Sequence, residues 1–348
     1  MKAGKTLQGL AVEIERQFKT KKDFIADTRS LRFATAEKKC MLEVGGKGDF
    51  ELTDICQEQI ASRLGIPQKY YEKMRAEHPT LLEYNVNGWF RQKPEKRLVR
   101  ALDHSARAFL SDRYRPLDHY DLAQTVLPKL QKSGCRVESC EITERRLYIQ
   151  AVTERITGKL EKGDIVQAGV VISNSEIGCG SVRIEPLLYR LVCSNGLIVN
   201  DAAIRQYHVG RAAGLELEGA EQFFRDSTRI ASDRAFWMKV GDVVSGTLDE
   251  VMFEKLVTRF RDSKKKEITG EIPEVVEKTS KLLGFTDGES AGILRHLSKG
   301  GDLSQFGLVN AITRTAQDVE SYDRSIEMQK AGWSVIELKP QQWESLSN

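Results

Sequence analysis

The chain has 348 residues, 40% of them hydrophobic and 30% charged, which excludes wholesale disorder and leaves room for a full core and two domains. Its net charge of +3 is close to neutral for this length, so the total implies no partner and charge has to be read locally. Six cysteines (Cys40, Cys56, Cys135, Cys140, Cys179, Cys193) form no CxxC pair and the five histidines are scattered, so no zinc motif is visible and the cysteines read as free thiols of a reducing cytoplasm. No stretch approaches about 18 apolar residues. The opening MKAGKTLQGLAVEIERQFKTKKDF lacks an apolar signal core, so neither a membrane span nor a signal peptide is expected.

In chain order, Leu10, Ile14 and Phe18 recur at helical spacing and predict a first helix over residues 7–18. Lys19, Lys21 and Lys22 are expected as solvated lysines at its end. Residues 33–44 and 49–52 alternate, predicting a hairpin around Gly45-Gly46-Lys47-Gly48. Thr53 is a cap for a helix over 54–64, Gly65 stops it, and Pro67 opens another to about residue 76. That layout is shared by a DNA-binding helix-turn-helix and by an ordinary helical hairpin packed on a sheet. Tyr70, Tyr71 and Met74 favour the second, because they are packing residues rather than base readers.

The stretch from Trp89 to Arg115 carries eight basic residues (Arg91, Lys93, Lys96, Arg97, Arg100, Arg107, Arg113, Arg115) against Glu95, Asp103 and Asp112. Trp89, Phe90, Phe109 and Tyr114 are interleaved with them. Cations hold phosphates and aromatic faces stack on unpaired bases, so this pattern points to nucleic acid. A solvated basic face with Trp89 and Phe109 in the core is the alternative. A turn at Arg115-Pro116 and a cap at Asp118 precede a helix over about 120–130. Asp112, Asp118, His119 and Asp121 contain metal-ligand chemistry, although Asp118 and Asp121 also suit a helix start.

Residues 135–152 predict a hairpin turning at Thr143–Arg146, followed by a polar loop over 155–163. Residues 164–200 are apolar, β-branched and glycine-punctuated. Val166, Val170, Val171 and Ile172 suit a strand buried on both faces. Gly178 and Gly180 supply backbone freedom, and Pro186 ends or edges the next strand. The polar residues within this run are either a turn at Asn195-Gly196 or a site formed by Ser175, Arg190, Cys193 and Asn195. Beyond residue 200 the pattern is mostly helical: a long segment over 218–260 interrupted at Gly241 and Gly246, a solvated turn at Lys264–Lys266, helices over 273–283, 290–297 and 306–316, and one over 318–333. Ser334–Leu338 is read as a last strand.

The common catalytic motifs GxxxxGK[ST], HExxH and GxSxG are absent. Cys193 with His208 as base is a conceivable nucleophile, but a cysteine in an apolar run is more often a small core residue. A nuclease would gather carboxylates on Mg²⁺; Asp112, Asp118, Asp164 and Glu176 are available, with no spacing that binds them together.

The segments IASRLGIPQKYYEKM, NVNGWF, RAFLSDRYRPLDHYDL, ISNSEIGCGS, YRLVCSNGLIV and NAITRTAQ, taken together, resemble the phage/plasmid-like family numbered nine-three-two among the domains of unknown function, of the YfjQ and YafZ prophage type. The likeness spans about residues 53–317. It implies a bacterial cytoplasmic protein encoded on a mobile element, and carries over no catalytic residue.

The expected fold is α+β, an antiparallel-rich central sheet flanked by helices with a mostly helical C-terminal part. The expected division is 1–88, 89–210 and 211–348. The leading expectation is a mobile-element protein that binds or anneals single-stranded DNA without a cofactor, as a homo-oligomer. The phosphate set is Arg91, Lys93, Lys96, Arg97, Arg100, Arg107, Arg113 and Arg115, and Trp89 and Tyr114 stack. Two other classes stand beside it: a Mg²⁺-dependent nuclease using Asp112, Asp118, His119 and Glu176, and an anti-defence module gripping a host protein.

Overall fold

The computed structural model describes residues 1–36, 39–114, 116–200 and 226–348. They fall into two compact units, each discontinuous in sequence. One comprises Met1–Leu10, Asp121–Asn174 and Gly180–Asn348; the other comprises Ala11–Tyr120 with Ser175–Cys179. The fold is α+β, as expected, with mainly antiparallel sheets and a helical C-terminal region.

The unit built on Ala11–Tyr120 contains a six-stranded sheet, fed by helix α1 (Leu7–Thr20). Its strands are β1 (Lys21–Asp27), β2 (Leu31–Ala36), β3 (Lys39–Val44), β4 (Gly48–Leu52), β5 (Lys96–Leu102) and β6 (Ser105–Ser111), in the order β1-β5-β6-β4-β3-β2. Every pairing is antiparallel except β4 with β6. Lys21 thus opens an edge strand instead of trailing a helix; its alternation with Asp23 and Ile25 suits a strand (period two) better than a helix end. The β3–β4 hairpin turns at the expected glycines.

Helices α2 (Asp54–Leu64), α3 (Gln68–Glu77) and α4 (Pro79–Gln92) cover one face of this sheet. Thr53 caps α2 by accepting a 3.3 Å hydrogen bond from the Cys56 amide, and Gly65 ends it in the left-handed region at φ 69°. Tyr71 and Met74 are fully buried against Phe33, Leu42 and Val99, so α2–α3 is a helical hairpin packed on the sheet.

The other unit contains helix α5 (His119–Lys132, from Asp121 onward) and a five-stranded antiparallel sheet. Its strands are β7 (Cys135–Ile142), β8 (Leu147–Glu161), β9 (Asp164–Asn174), β10 (Arg183–Arg190) and β11 (Asn195–Ile198), in the order β11-β10-β9-β8-β7. Three local expectations change here. Residues 155–161 continue β8, whose ladder to β9 resumes after a register shift at Thr153/Thr157. Pro186 lies inside β10; it is tolerated because the ladder to β11 begins only at Leu187. The turn falls at Leu191–Ser194, with Ser194 at φ 52°, and Asn195-Gly196 opens β11.

Helices α6 (Asp226–Thr247), α7 (Glu250–Asp262), α8 (Ile272–Leu283), α9 (Asp287–Gly300), α10 (Gln305–Asp318), α11 (Tyr322–Ile336) and α12 (Pro340–Ser347) follow. α6 runs through Gly241 and Gly246, since glycine weakens a helix without forbidding it. Residues 218–225 of that expected segment lie outside the described residues. Ser334–Leu338 is no strand: Ser334–Ile336 complete α11, whose Gly332, Trp333 and Val335 are buried. Phe253, Leu256 and Phe260 of α7, Ile293 and Leu297 of α9, Leu308 and Ile312 of α10 and Trp333 of α11 form one core with Val166, Leu188 and Leu197 of the sheet. No described helix is long and apolar enough to cross a membrane.

Candidate functional site

In the Ala11–Tyr120 unit, β1 and β5 pair in a register that sets Asp23 opposite Arg100. Arg100 is 1% exposed, and its guanidinium donates to Asp23 at 2.8 and 3.1 Å, to Asp118 Oδ1 at 2.8 Å and to the Glu176 carbonyl at 2.7 Å. Lys21 meets the other oxygen of Asp118. Glu176, 5% exposed, accepts from Arg107 Nη2 at 2.8 Å and from the His119 amide at 2.7 Å. The turn carrying Glu176 is held by Ser175, whose Oγ accepts from the Cys179 amide at 3.0 Å, and Gly178 bends it at φ 79°.

These contacts fix charge states. Burial opposes ionisation of Glu176, yet His119, Arg107, the His119 amide and Arg100 outweigh it and hold the carboxyl at about 2. Burial likewise opposes the charge on Arg100, but hydrogen bonds to Asp23 and Asp118 raise its pKa overall. His119 is pushed down by burial, against the pull of Glu176, so its imidazole is neutral near pH 7.

Several residues expected on phosphates are therefore committed elsewhere. Arg100 and Arg107 belong to this network, and Arg97, 7% exposed, donates to Glu95 at 2.8 Å over the Phe109 ring. Tyr114 is half-buried, and burial raises its hydroxyl pKa. Arg113 and Asp112 are exposed on a turn, where Ser111 Oγ donates to Asp112 at 3.3 Å. Arg115 lies outside the described residues. Asp118 and Glu176, considered as metal ligands, spend their oxygens on Lys21, Arg100, Arg107 and the His119 amide, while Asp121 is exposed in the first turn of α5. Among the described residues, no group of three or more His, Cys, Asp or Glu side chains could hold a metal ion.

Arg91, Lys93 and Lys96 remain exposed around the turn between α4 and β5 and make no ion pair among the described residues. Thr28 ties its own 3₁₀ turn to this place through bonds to the Phe90 and Glu95 backbone at 2.9–3.1 Å. Arg29 reaches Asp27, opposite Lys96 in the sheet, and Arg63 joins Arg97 on Glu95. Among the described residues, six cations and two carboxylates thus surround this corner, and only Arg29, Arg63 and Arg97 pair with the carboxylates. Trp89 is half-buried beside them, with Lys93 Nζ 5.1 Å over its ring. Arg29 and Arg63 were not foreseen, because only tertiary structure brings them here.

In the other unit, the second expected constellation opens onto a cleft of about 920 Å³. Arg190 Nε donates to buried Asp164 at 2.8 Å, and Nη1 reaches Asn310 Oδ1 at 3.1 Å and Cys193 Sγ at 3.8 Å. Asn195, 4% exposed, donates to Thr313 Oγ1 at 3.2 Å and accepts from Gln317 at 2.5 Å. The segments YRLVCSNGLIV and NAITRTAQ, more than 110 residues apart, therefore meet as one hydrogen-bonded floor. In sequence, Asn310 and Thr313 fall within the helix expected over 306–316 and Gln317 just beyond it, with nothing to say that they face Arg190 and Asn195. Ser175 is in the other unit and closes its own turn; His208 lies outside the described residues.

No match appears among curated proteins or among solved structures. A family model does match, over residues 107–333, a span that includes Arg107, Asp118, His119, Glu176 and the whole floor of the cleft. The chain belongs to the family described as DUF932, a domain of unknown function.

Proposed function

We propose that this chain binds nucleic acid, single-stranded DNA in particular, at the corner between α4 and β5, in annealing or recombination for a mobile element. The observation that carries the reading is the exposed cluster of Arg91, Lys93 and Lys96, without carboxylate partners of their own among the described residues, flanked by Arg29 and Arg63. Exposed cations release counterions when they meet phosphates, which gives affinity without sequence preference. Tyr84, 79% exposed, stands two turns before Arg91 on α4 and offers an aromatic face for an unpaired base. A homo-oligomer would repeat this corner along a strand and raise affinity through avidity.

The test is fluorescence anisotropy of labelled single- and double-stranded DNA over a range of salt. The triple variant Arg91→Ala, Lys93→Ala, Lys96→Ala should weaken single-strand binding and reduce the salt slope by about 2, since each single-strand phosphate contact contributes about 0.7. An unchanged slope removes these residues from the interface. Absence of binding by the unaltered chain at low salt would end the nucleic-acid reading and direct attention to a host-protein partner.

A further inference from the structure

We infer that the cleft between the β10–β11 turn and the α9–α10 hairpin binds a phosphate-bearing small molecule. The cleft, about 920 Å³, has the size of a ligand pocket. Its floor is preorganised: Asp164, Arg190 and Asn310 form one chain of hydrogen bonds, and Asn195, Thr313 and Gln317 another. A rigid floor lowers the ordering entropy lost on binding.

The lining basic residues divide into two groups. Arg190 is neutralised by Asp164, Lys264 by Glu161 at 2.7 Å, and His296 sits 2.7 Å from Asp318. Arg314 and Lys299 differ. Both are exposed, both line the cleft, and neither has a carboxylate partner among the described residues. Among the described residues, Arg314 donates to the neutral Gln317 amide oxygen, at 2.9 Å, which aligns its guanidinium without cancelling its charge. Two cations without carboxylate partners among the described residues, Lys299 on α9 and Arg314 on α10, line one cleft, which suits a dianion better than a monoanion. A phosphate monoester carries about −1.5 to −2 at neutral pH and presents three acceptor oxygens, which suit the arginine fork and the lysine ammonium. Glu161, Glu267 and Asp302 also line the cleft, and their charge disfavours a polyanion such as a nucleic-acid strand.

The inference is independent of the DNA reading, which concerns residues of the other unit. It is tested on the full chain by isothermal titration and thermal shift with inorganic phosphate, adenosine monophosphate and glucose 6-phosphate, each against sulfate and chloride at equal ionic strength. At least one phosphate compound should bind and raise the melting temperature beyond the sulfate control. The double variant Lys299→Ala, Arg314→Ala should lose affinity by about tenfold or more, with an unchanged melting temperature in chloride because both side chains are exposed. Binding of inorganic phosphate alone identifies free phosphate as the ligand; tighter binding of one ester assigns the remaining contacts to its organic part. Equal responses to phosphate and sulfate, no binding at all, or an unaltered affinity in the double variant overturns the inference.

Discussion

Glu176 shows how much one side chain can decide. It lies in a short polar break, where a sequence reader sees a carboxylate available for chemistry. The structure buries it between Arg107 and the His119 amide. Removing one member of a buried ion pair leaves the other charged and desolvated. Glu176→Gln should therefore lower stability by about 3 kcal/mol, read from the midpoint of urea denaturation followed by circular dichroism. The pH dependence follows from the depressed pKa. The stabilisation is fully present above the ordinary value of 4.5 and is lost as pH falls towards about 2. The glutamine variant should show a flatter stability curve across that interval; parallel curves would mean that Glu176 is not the titrating group. Arg100→Ala leaves Asp23 and Asp118 facing each other without their shared cation, so it should lower stability by roughly 3–5 kcal/mol rather than act on ligand affinity. Arg91, exposed and unpaired among the described residues, is the informative arginine for binding experiments.

At the scale of elements, the short-range signals were legible wherever the chemistry is local. Thr53, Gly65 and Pro67 mark the ends of α2 and the start of α3, because caps and left-handed turns depend on neighbours within a few residues. Gly65→Ala should cost about 1 kcal/mol in denaturation midpoint, from backbone strain alone, since a Cβ there would meet open space. Gly169→Ala is the contrast: its Cβ would lie 2.5 Å from the Ala151 carbonyl of the neighbouring strand β8, inside a ladder on both sides. That substitution should cost roughly 2–3 kcal/mol; a smaller effect than Gly65→Ala would mean that the sheet relaxes around position 169. The missed elements share one physical cause. β1, the end of β8 and the interior position of Pro186 are set by which strand lies alongside and in what register: β1 pairs with β5, far along the chain, while β8 and β10 pair with their sequence neighbours through shifted or offset ladders that local patterning does not reveal.

The whole molecule is discontinuous in a way that matters for experiments. Ser175–Cys179 leaves the end of β9 and belongs to the unit otherwise formed by Ala11–Tyr120, where it brings Glu176 to Arg107 and Ile177 to Ile55 and Ala108. A fragment ending at residue 120 lacks those five residues. It should fail to unfold cooperatively, judged by near-ultraviolet circular dichroism on heating; a sharp transition in that fragment would show that the inserted turn is dispensable.

By itself the sequence determined the fold class, the capped helices, the hairpins and the family, since each rests on periodicity, turn chemistry or motif identity close along the chain. It also picked out two polar or basic stretches worth attention. Tertiary structure decided which side chains of those stretches are paired and which are exposed. Burial and strand register turned Arg97, Arg100 and Arg107 into ion-pair partners and left Arg91, Lys93 and Lys96 exposed, while helix packing brought Asn310 and Thr313 against Arg190 and Asn195. An arginine's sequence context does not say whether a carboxylate will lie within 3 Å of it. For Arg100 and Arg107 the carboxylates (Asp23, Asp118 and Glu176) lie 18 to 77 residues away and become neighbours only in the folded chain, whereas Arg97 pairs with Glu95 two residues before it.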